Sequence, residues 1–151
     1  MWFGHITIAL IISALFYFDF RITLICLFFS WLPNVDTILV KLDMVKKEFH
    51  DGPTHSIIFS IIFGIIVSIF SLKYGLIASV CYFLHLVSDL PTDKGISLLY
   101  PFTKKKFTIN LWKSTGFLDI KNMVEYYKQT WAKILELLLI LILILIIKII
   151  S

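Results

Sequence analysis

The chain has 151 residues, 59% of them hydrophobic and 16% charged, with a mean hydropathy of +0.92 and a formal net charge of +4. Soluble domains run at about 45–50% apolar and about 25% charged. The composition therefore excludes an ordinary soluble domain and points to a single membrane domain over residues 1–151. Cys26 and Cys81 lie inside apolar runs without CxxC spacing, so they read as small buried hydrophobes.

The opening MWFGHITIAL has neither a basic leader region nor a small-residue cleavage site, and is expected to be a retained helix. Apolar runs follow at Trp2–Phe18, Ile22–Leu32, Thr54–Ser71, Gly75–Leu90 and Ala132–Ile150. A spanning helix needs roughly 20 residues. The last run meets that length, the first, third and fourth are slightly short, and the second is too short alone. The links DFR and LKYG are so brief that their flanking helices are expected to form antiparallel hairpins. Pro33 is expected to end the second helix, and Asp51, Gly52 and Pro53 to open the third. The predicted fold is all-α: a polytopic membrane helix bundle of about five helices. An interfacial basic and aromatic segment, 103–131, precedes the C-terminal membrane helix.

Lysine and arginine give the expected orientation. With five crossings, the side of the N-terminus carries Lys41, Lys46, Lys47, Lys94, Lys104, Lys105, Lys106, Lys113, Lys121, Lys128 and Lys133. The opposite side carries Arg21, Lys73 and Lys148. An 11-to-3 split places the N-terminal side in the cytoplasm.

The residues able to bind metal gather on that same side. His5 opens the first helix, Asp36 follows the second, His50 and His55 flank the entry to the third, and His85 and Asp89 close the fourth. His85 and Asp89 are four apart and share a helical face. They also interrupt an apolar run, where ionisable groups are expensive and tend to be functional. His55 is expected in the first turn of its helix, where the dipole favours the neutral imidazole that ligates metal. A mixed His/Asp set suits zinc, and less specifically manganese or iron.

Three stretches, LPNVD, HDGPTHS and HLVSDLPTDKGISLLYPF, resemble in order the LPDID, HRGxTHS and HxxxDxxTxxGxxLLxPF blocks of the YdjM-like family. These small inner-membrane proteins are described as metal-dependent hydrolases, some also as LexA-binding. The resemblance covers about residues 1–102. It implies metal-site roles for Asp36, His50, His55, His85 and Asp89, with His5 matching an early family histidine. Two positions depart from the pattern. Asn34 stands where the family has an aspartate and brings no charge to a second metal. Asp51 stands where the family commonly has arginine.

No nucleophile-elbow serine, Gly-rich phosphate loop or CxxC pair is present, so water activated by a bound metal is the hydrolytic route with visible parts. Asp36 or Asp89 would serve as general base. A site at headgroup depth fits an amphiphilic substrate, such as a phospholipid or another lipid-linked phosphoester. The segment 100–131 mixes lysines with Phe, Trp and Tyr, a composition that settles at the membrane interface, so lipid and not nucleic acid is the expected partner. The competing readings are a metal-binding membrane scaffold, a transporter component and a partner-binding regulator. A transporter would carry its ionisable groups near mid-membrane.

Overall fold

The structure, a computed structural model, describes residues 1, 3–46, 52–115 and 119–151. The described residues form helices joined by turns and loops, with two isolated β-bridges. Helix α1 is Gly4–Ala14 and α2 is Phe20–Trp31. A single 3-10 turn, Leu32–Asn34, leads into α3, Val35–Lys41. Another, Pro53–His55, precedes α4, Ile57–Ser68. Helix α5 is Leu72–Asp89, α6 is Ile120–Lys128 and α7 is Thr130–Ile150.

Several boundaries differ from the sequence reading. The first helix stops at Ala14, not Phe18, because residues 15–18 turn back, with the Phe18 N–H donating to Ser13. Asp19 then caps α2 by accepting from the Ile22 N–H at 3.0 Å, so Phe20 and Arg21 are already helical. All of the supposed LKYG link belongs to α5, whose N-cap is Ser71. Pro33 does end α2, which stops at Trp31 as expected, but it does not end the helical course of the chain. It sits in the first turn of a new segment, where its missing N–H is no loss, and the chain continues helically to Lys41. By length and composition, the resulting stretch Phe20–Lys41 suffices to cross a membrane: 22 residues at mean hydropathy 1.6. Gly4–Ala14 and Ile57–Ser68 are apolar but shorter.

Small polar residues hold the helices together. The α1–α2 hairpin is tied by Ser13 to Thr23 at one end and by Ser30 Oγ donating to the His5 carbonyl, 2.7 Å, at the other. In the α4–α5 hairpin, Ser60 Oγ donates to the Ser79 carbonyl at 2.9 Å, and Gly64 faces Gly75 and Ser79. A Cβ on Gly64 would lie 2.7 Å from the Ser79 Cβ, so this crossing needs a residue without a side chain. Between the hairpins lies the core: Ala9, Ile22, Cys26, Phe29, Ile77, Ala78, Cys81, Tyr82, Leu86 and Ile96. Both cysteines are free thiols buried there.

These pairings place the starts of α1 and α4 and the ends of α2 and α5 at one end of the bundle. The loop after α5 folds over that end. Ile109 and Leu111 donate to the Leu90 and Pro91 carbonyls, both at 2.8 Å, and Leu98 accepts from the Ile57 N–H at 3.0 Å. The outward faces remain apolar: Ile61, Ile65, Ile69 and Phe70 around α4 and Leu137, Leu141, Ile144 and Leu145 on α7 are all exposed.

Candidate metal centre

Four segments bring their polar side chains to that covered end. His5 lies in the first turn of α1 and Asp36 in the first turn of α3. His55 ends the 3-10 turn before α4, while His85 and Asp89 occupy the last turns of α5. His5 and Asp89 are 4% and 8% exposed, and Asp36, His55 and His85 are fully buried, so five ionisable groups share a site removed from bulk water. His55 is not in the first helical turn as the sequence reading had it. Ser56 is extended, with φ −122°, and separates His55 from α4. The helix dipole therefore does not set its state; its carboxylate neighbours do.

Hydrogen bonds fix the tautomers of two of the imidazoles. His85 Nδ1 lies 2.7 Å from the Ser30 carbonyl oxygen, which can only accept, so Nδ1 carries the proton. Ser30 lies in the last turn of α2, where carbonyls lack partners within the helix. Ser88 Oγ donates its one proton to the His85 carbonyl at 2.7 Å. It must then accept from His5 Nδ1, 2.9 Å away. Both rings thus present Nε2 as a bare lone pair, and they stack with centroids 3.9 Å apart.

Those lone pairs face a carboxylate. His5 Nε2 lies 3.3 Å from Asp89 Oδ1, and His85 Nε2 lies 3.0 Å from Asp89 Oδ2. The latter pair is close but not aligned for a hydrogen bond, leaving the buried His85 Nε2 without a hydrogen-bond partner among the described residues. Acceptors brought this close repel unless a cation or donor lies between them. The Met1 ammonium supplies one such cation, 3.1 Å from His5 Nε2 and 3.2 Å from Asp89 Oδ1. A metal ion suits the set as well. One ligand atom each from His5, His85 and Asp89 falls within 4.8 Å of the others. Zinc–nitrogen and zinc–oxygen bonds are about 2.0–2.2 Å, so one ion can reach all three.

The second carboxylate stands behind the third histidine. Asp36 Oδ2 is 3.1 Å from His55 Nδ1 and accepts from Thr54 Oγ1 at 3.0 Å, while its Oδ1 accepts from Thr37 Oγ1 at 3.3 Å. His55 Nε2 points inward, 3.5 Å from Asp89 Oδ2. Tyr82 steadies the turn by donating to the Thr54 carbonyl at 2.6 Å. A carboxylate bonded to one nitrogen of a histidine whose other nitrogen faces a His/His/Asp cluster is the arrangement metal sites use to fix an imidazole's tautomer and orientation.

The YdjM inner membrane protein family matches the whole chain, residues 1–151. The chain belongs to that family. No curated protein and no solved structure matches it.

In this YdjM-family chain the structure joins five of the six site residues read from the sequence: His5, Asp36, His55, His85 and Asp89. The sixth, His50, lies outside the described residues, as do Asp51 and Lys47. Asn34 is buried in the 3-10 turn that leads to Asp36. Sequence reasoning missed Ser30, Ser88, Thr37 and Thr54. Ser88 had a local signal, since a serine three residues after His85 in HLVSD can bond back to that carbonyl. Ser30 had none, because its partner lies 55 residues away.

Glu136 was also left without a role. It is the buried carboxylate of α7, accepting from the Gly4 N–H at 3.1 Å and the Tyr126 hydroxyl at 3.2 Å, and from Tyr127. Burial, reinforced by the Glu136 carboxylate, pushes both tyrosine hydroxyls of α6 up, so they stay protonated donors. Glu136 thereby ties α6 and α7 to the residue before His5.

Proposed function

We propose that the protein is a polytopic inner-membrane hydrolase that uses a divalent metal, zinc by ligand type, on a phosphoester of an amphiphilic substrate. One observation carries this reading: two buried imidazoles, with tautomers set by Ser30 and Ser88, turn bare Nε2 atoms toward the Asp89 carboxylate. Neutral histidine and ionised carboxylate are the ligand forms. When bound, such an ion acts as a Lewis acid on a phosphoryl oxygen and lowers the pKa of water towards about 7.

The chain's own groups supply the rest. His5, His85 and Asp89 would hold the ion. With Asp89 drawn onto the ion, His55 would be left with Asp36 alone and would take up the proton released by attacking water, Asp36 at Nδ1 stabilising the resulting imidazolium. Asp36 thus acts through His55, its own oxygens being engaged by His55, Thr37 and Thr54. The fold over the end of α5 excludes bulk water, which strengthens every charge interaction inside.

The membrane part of the reading rests on the apolar faces. Exposed Ile and Leu cover α4 and α7, and α7 has 21 residues, about the length of a bilayer core. With five crossings, the centre would lie at the cytoplasmic edge, on the side of the 11 lysines.

The test is elemental analysis of the purified protein, followed by a screen of phospholipid and soluble phosphoester hydrolysis. Bound divalent metal and turnover removed by chelator are expected. His85→Ala and Asp89→Ala should lose both while keeping helical content. Full metal content in both variants would end the assignment, and metal without turnover of any phosphoester would leave the scaffold reading.

A further inference from the structure

Beside the metal centre, the start of α1 and the first turns of α7 enclose an open groove of about 400 Å³, lined by Phe3, Tyr127, Lys133, Glu136, Leu137 and Ile140. We propose that this groove binds one acyl chain of an anionic membrane phospholipid and presents its headgroup to the centre. The proposal rests on the hydrolase reading above and names the substrate class that the same site would take.

The volume lies in the range of ligand sites, about 300–1,000 Å³. Lys133, Glu136, Leu137 and Ile140 stand at positions i, i+3, i+4 and i+7 of α7 and form one stripe. At about 1.5 Å per residue, that stripe is about 10 Å long. The opposite wall is Phe3 stacked on Tyr127, with ring centroids 6.3 Å apart. Glu136 adds no open charge, because its carboxylate is 4% exposed and accepts from Gly4, Tyr126 and Tyr127. The groove is therefore apolar along its length.

One end differs. Lys133 is exposed and lies one turn before Glu136, towards the basic and aromatic segment. A cation at the mouth of an apolar groove matches an amphiphile whose chain is apolar and whose head is anionic. Phe3 and Gly4 form or back the wall, and the next residue is His5. A chain held against Phe3 thus leaves its headgroup beside the centre. The groove explains two features the catalytic residues do not: a buried carboxylate on an otherwise apolar helix, and an amphipathic α6 docked beside it through Tyr127.

The test is photo-crosslinking in nanodiscs, using phosphatidylglycerol with a diazirine at mid-chain and mapping adducts by mass spectrometry. Adducts should concentrate on Phe3, Tyr127, Leu137 and Ile140. Leu137→Trp and Ile140→Trp, which fill the groove, should each lower labelling there about tenfold, the scale of losing a buried binding pocket. Lys133→Glu should remove the preference for phosphatidylglycerol over phosphatidylcholine as competitor. Equal labelling of Ile61, Ile65 and Leu141, unchanged by the groove-filling variants, would overturn the proposal, since the groove would then be ordinary lipid-facing surface. Crosslinks joining the groove to a second copy would also overturn it. The assay needs no turnover, so the two readings fail separately. Groove labelling without hydrolysis of any lipid counts against the hydrolase alone. Metal-dependent lipid hydrolysis undiminished in Ile140→Trp, with diffuse labelling, counts against the groove alone.

Discussion

Ser88 Oγ links two histidines from different helices: it donates to the His85 carbonyl at 2.7 Å and accepts from His5 Nδ1 at 2.9 Å. One hydroxyl proton thus decides which nitrogen of His5 carries the hydrogen, and leaves Nε2 bare towards Asp89. Ser88→Ala removes the acceptor but no ligand. His5 would then be free to place its proton on Nε2, the wrong atom for a metal. Metal affinity should fall about 10–100-fold, the usual scale for losing an outer-shell partner. Titration with zinc against a competing chelator measures it, and an unchanged affinity would show that the tautomer is set elsewhere.

Glu136 holds the approach to His5 from the opposite side. Glu136→Ala would leave the Gly4 N–H and the Tyr126 and Tyr127 hydroxyls without this acceptor. Each stranded buried donor costs about 1–3 kcal/mol. Helix α6 should loosen first, since both of its tyrosines depend on this one carboxylate. Hydrogen exchange of Ile120–Lys128 should quicken in the variant, with α5 unchanged. Protection of α6 equal to wild type would mean that its aromatic contacts, Trp112–Tyr126 and Phe3–Tyr127, suffice to hold it.

Packing at the far end should be separable from the site. Gly64 meets Ser79 with no room for a methyl, and Gly75 meets Ser68 even more closely. Gly64→Ala forces the α4–α5 hairpin apart and should lower stability by about 1–3 kcal/mol. Denaturation in detergent would show this, whereas metal affinity of the folded fraction should hold, because Gly64 is more than two helical turns from His55. A stable Gly64→Ala would show that the helices can slide to accommodate it.

The gathering of histidines at one end was legible because its cause is topological. Short turns force antiparallel neighbours, and alternate helix ends must then meet, as His5, His55, His85 and Asp89 do. What could not be read was how each ring is held. Ser30 acts through a main-chain carbonyl, which leaves no trace in residue type. Pro33 told only half of its role: it ends α2, but in the first turn of the next segment it also starts one. The helix Val35–Lys41 that follows carries Asp36 inward, so the element that was not read from the sequence holds a site residue.

The proposed five crossings imply a topology that can be checked. The turn at residues 69–71 lies at the end of the α4–α5 hairpin opposite His55 and His85. Reporter fusions at residue 72 and at residue 151 should both report the periplasmic side, given the 11-to-3 lysine and arginine split. A cytoplasmic signal at residue 72 would put the centre on the periplasmic face and overturn the assigned orientation, although the convergence itself would stand.

An Asp36 variant would separate binding from chemistry. It touches His55 Nδ1 at 3.1 Å, whereas the cluster that fits an ion is His5, His85 and Asp89. Asp36→Asn keeps the size and can still accept from Thr37 and Thr54, but it removes the charge that would stabilise a protonated His55. Metal content should therefore stay near wild type while kcat falls about 10²–10⁴-fold, the range for losing general acid–base assistance. KM should change little, because no substrate contact is removed. Metal analysis and turnover must be read on the same preparation. If Asp36→Asn loses its metal, Asp36 and His55 belong to the coordination set, and the proton acceptor must be sought elsewhere. If it retains both metal and full turnover, His55 does not take the proton with Asp36 behind it, and the pair is only a structural tie between α3 and the turn before α4.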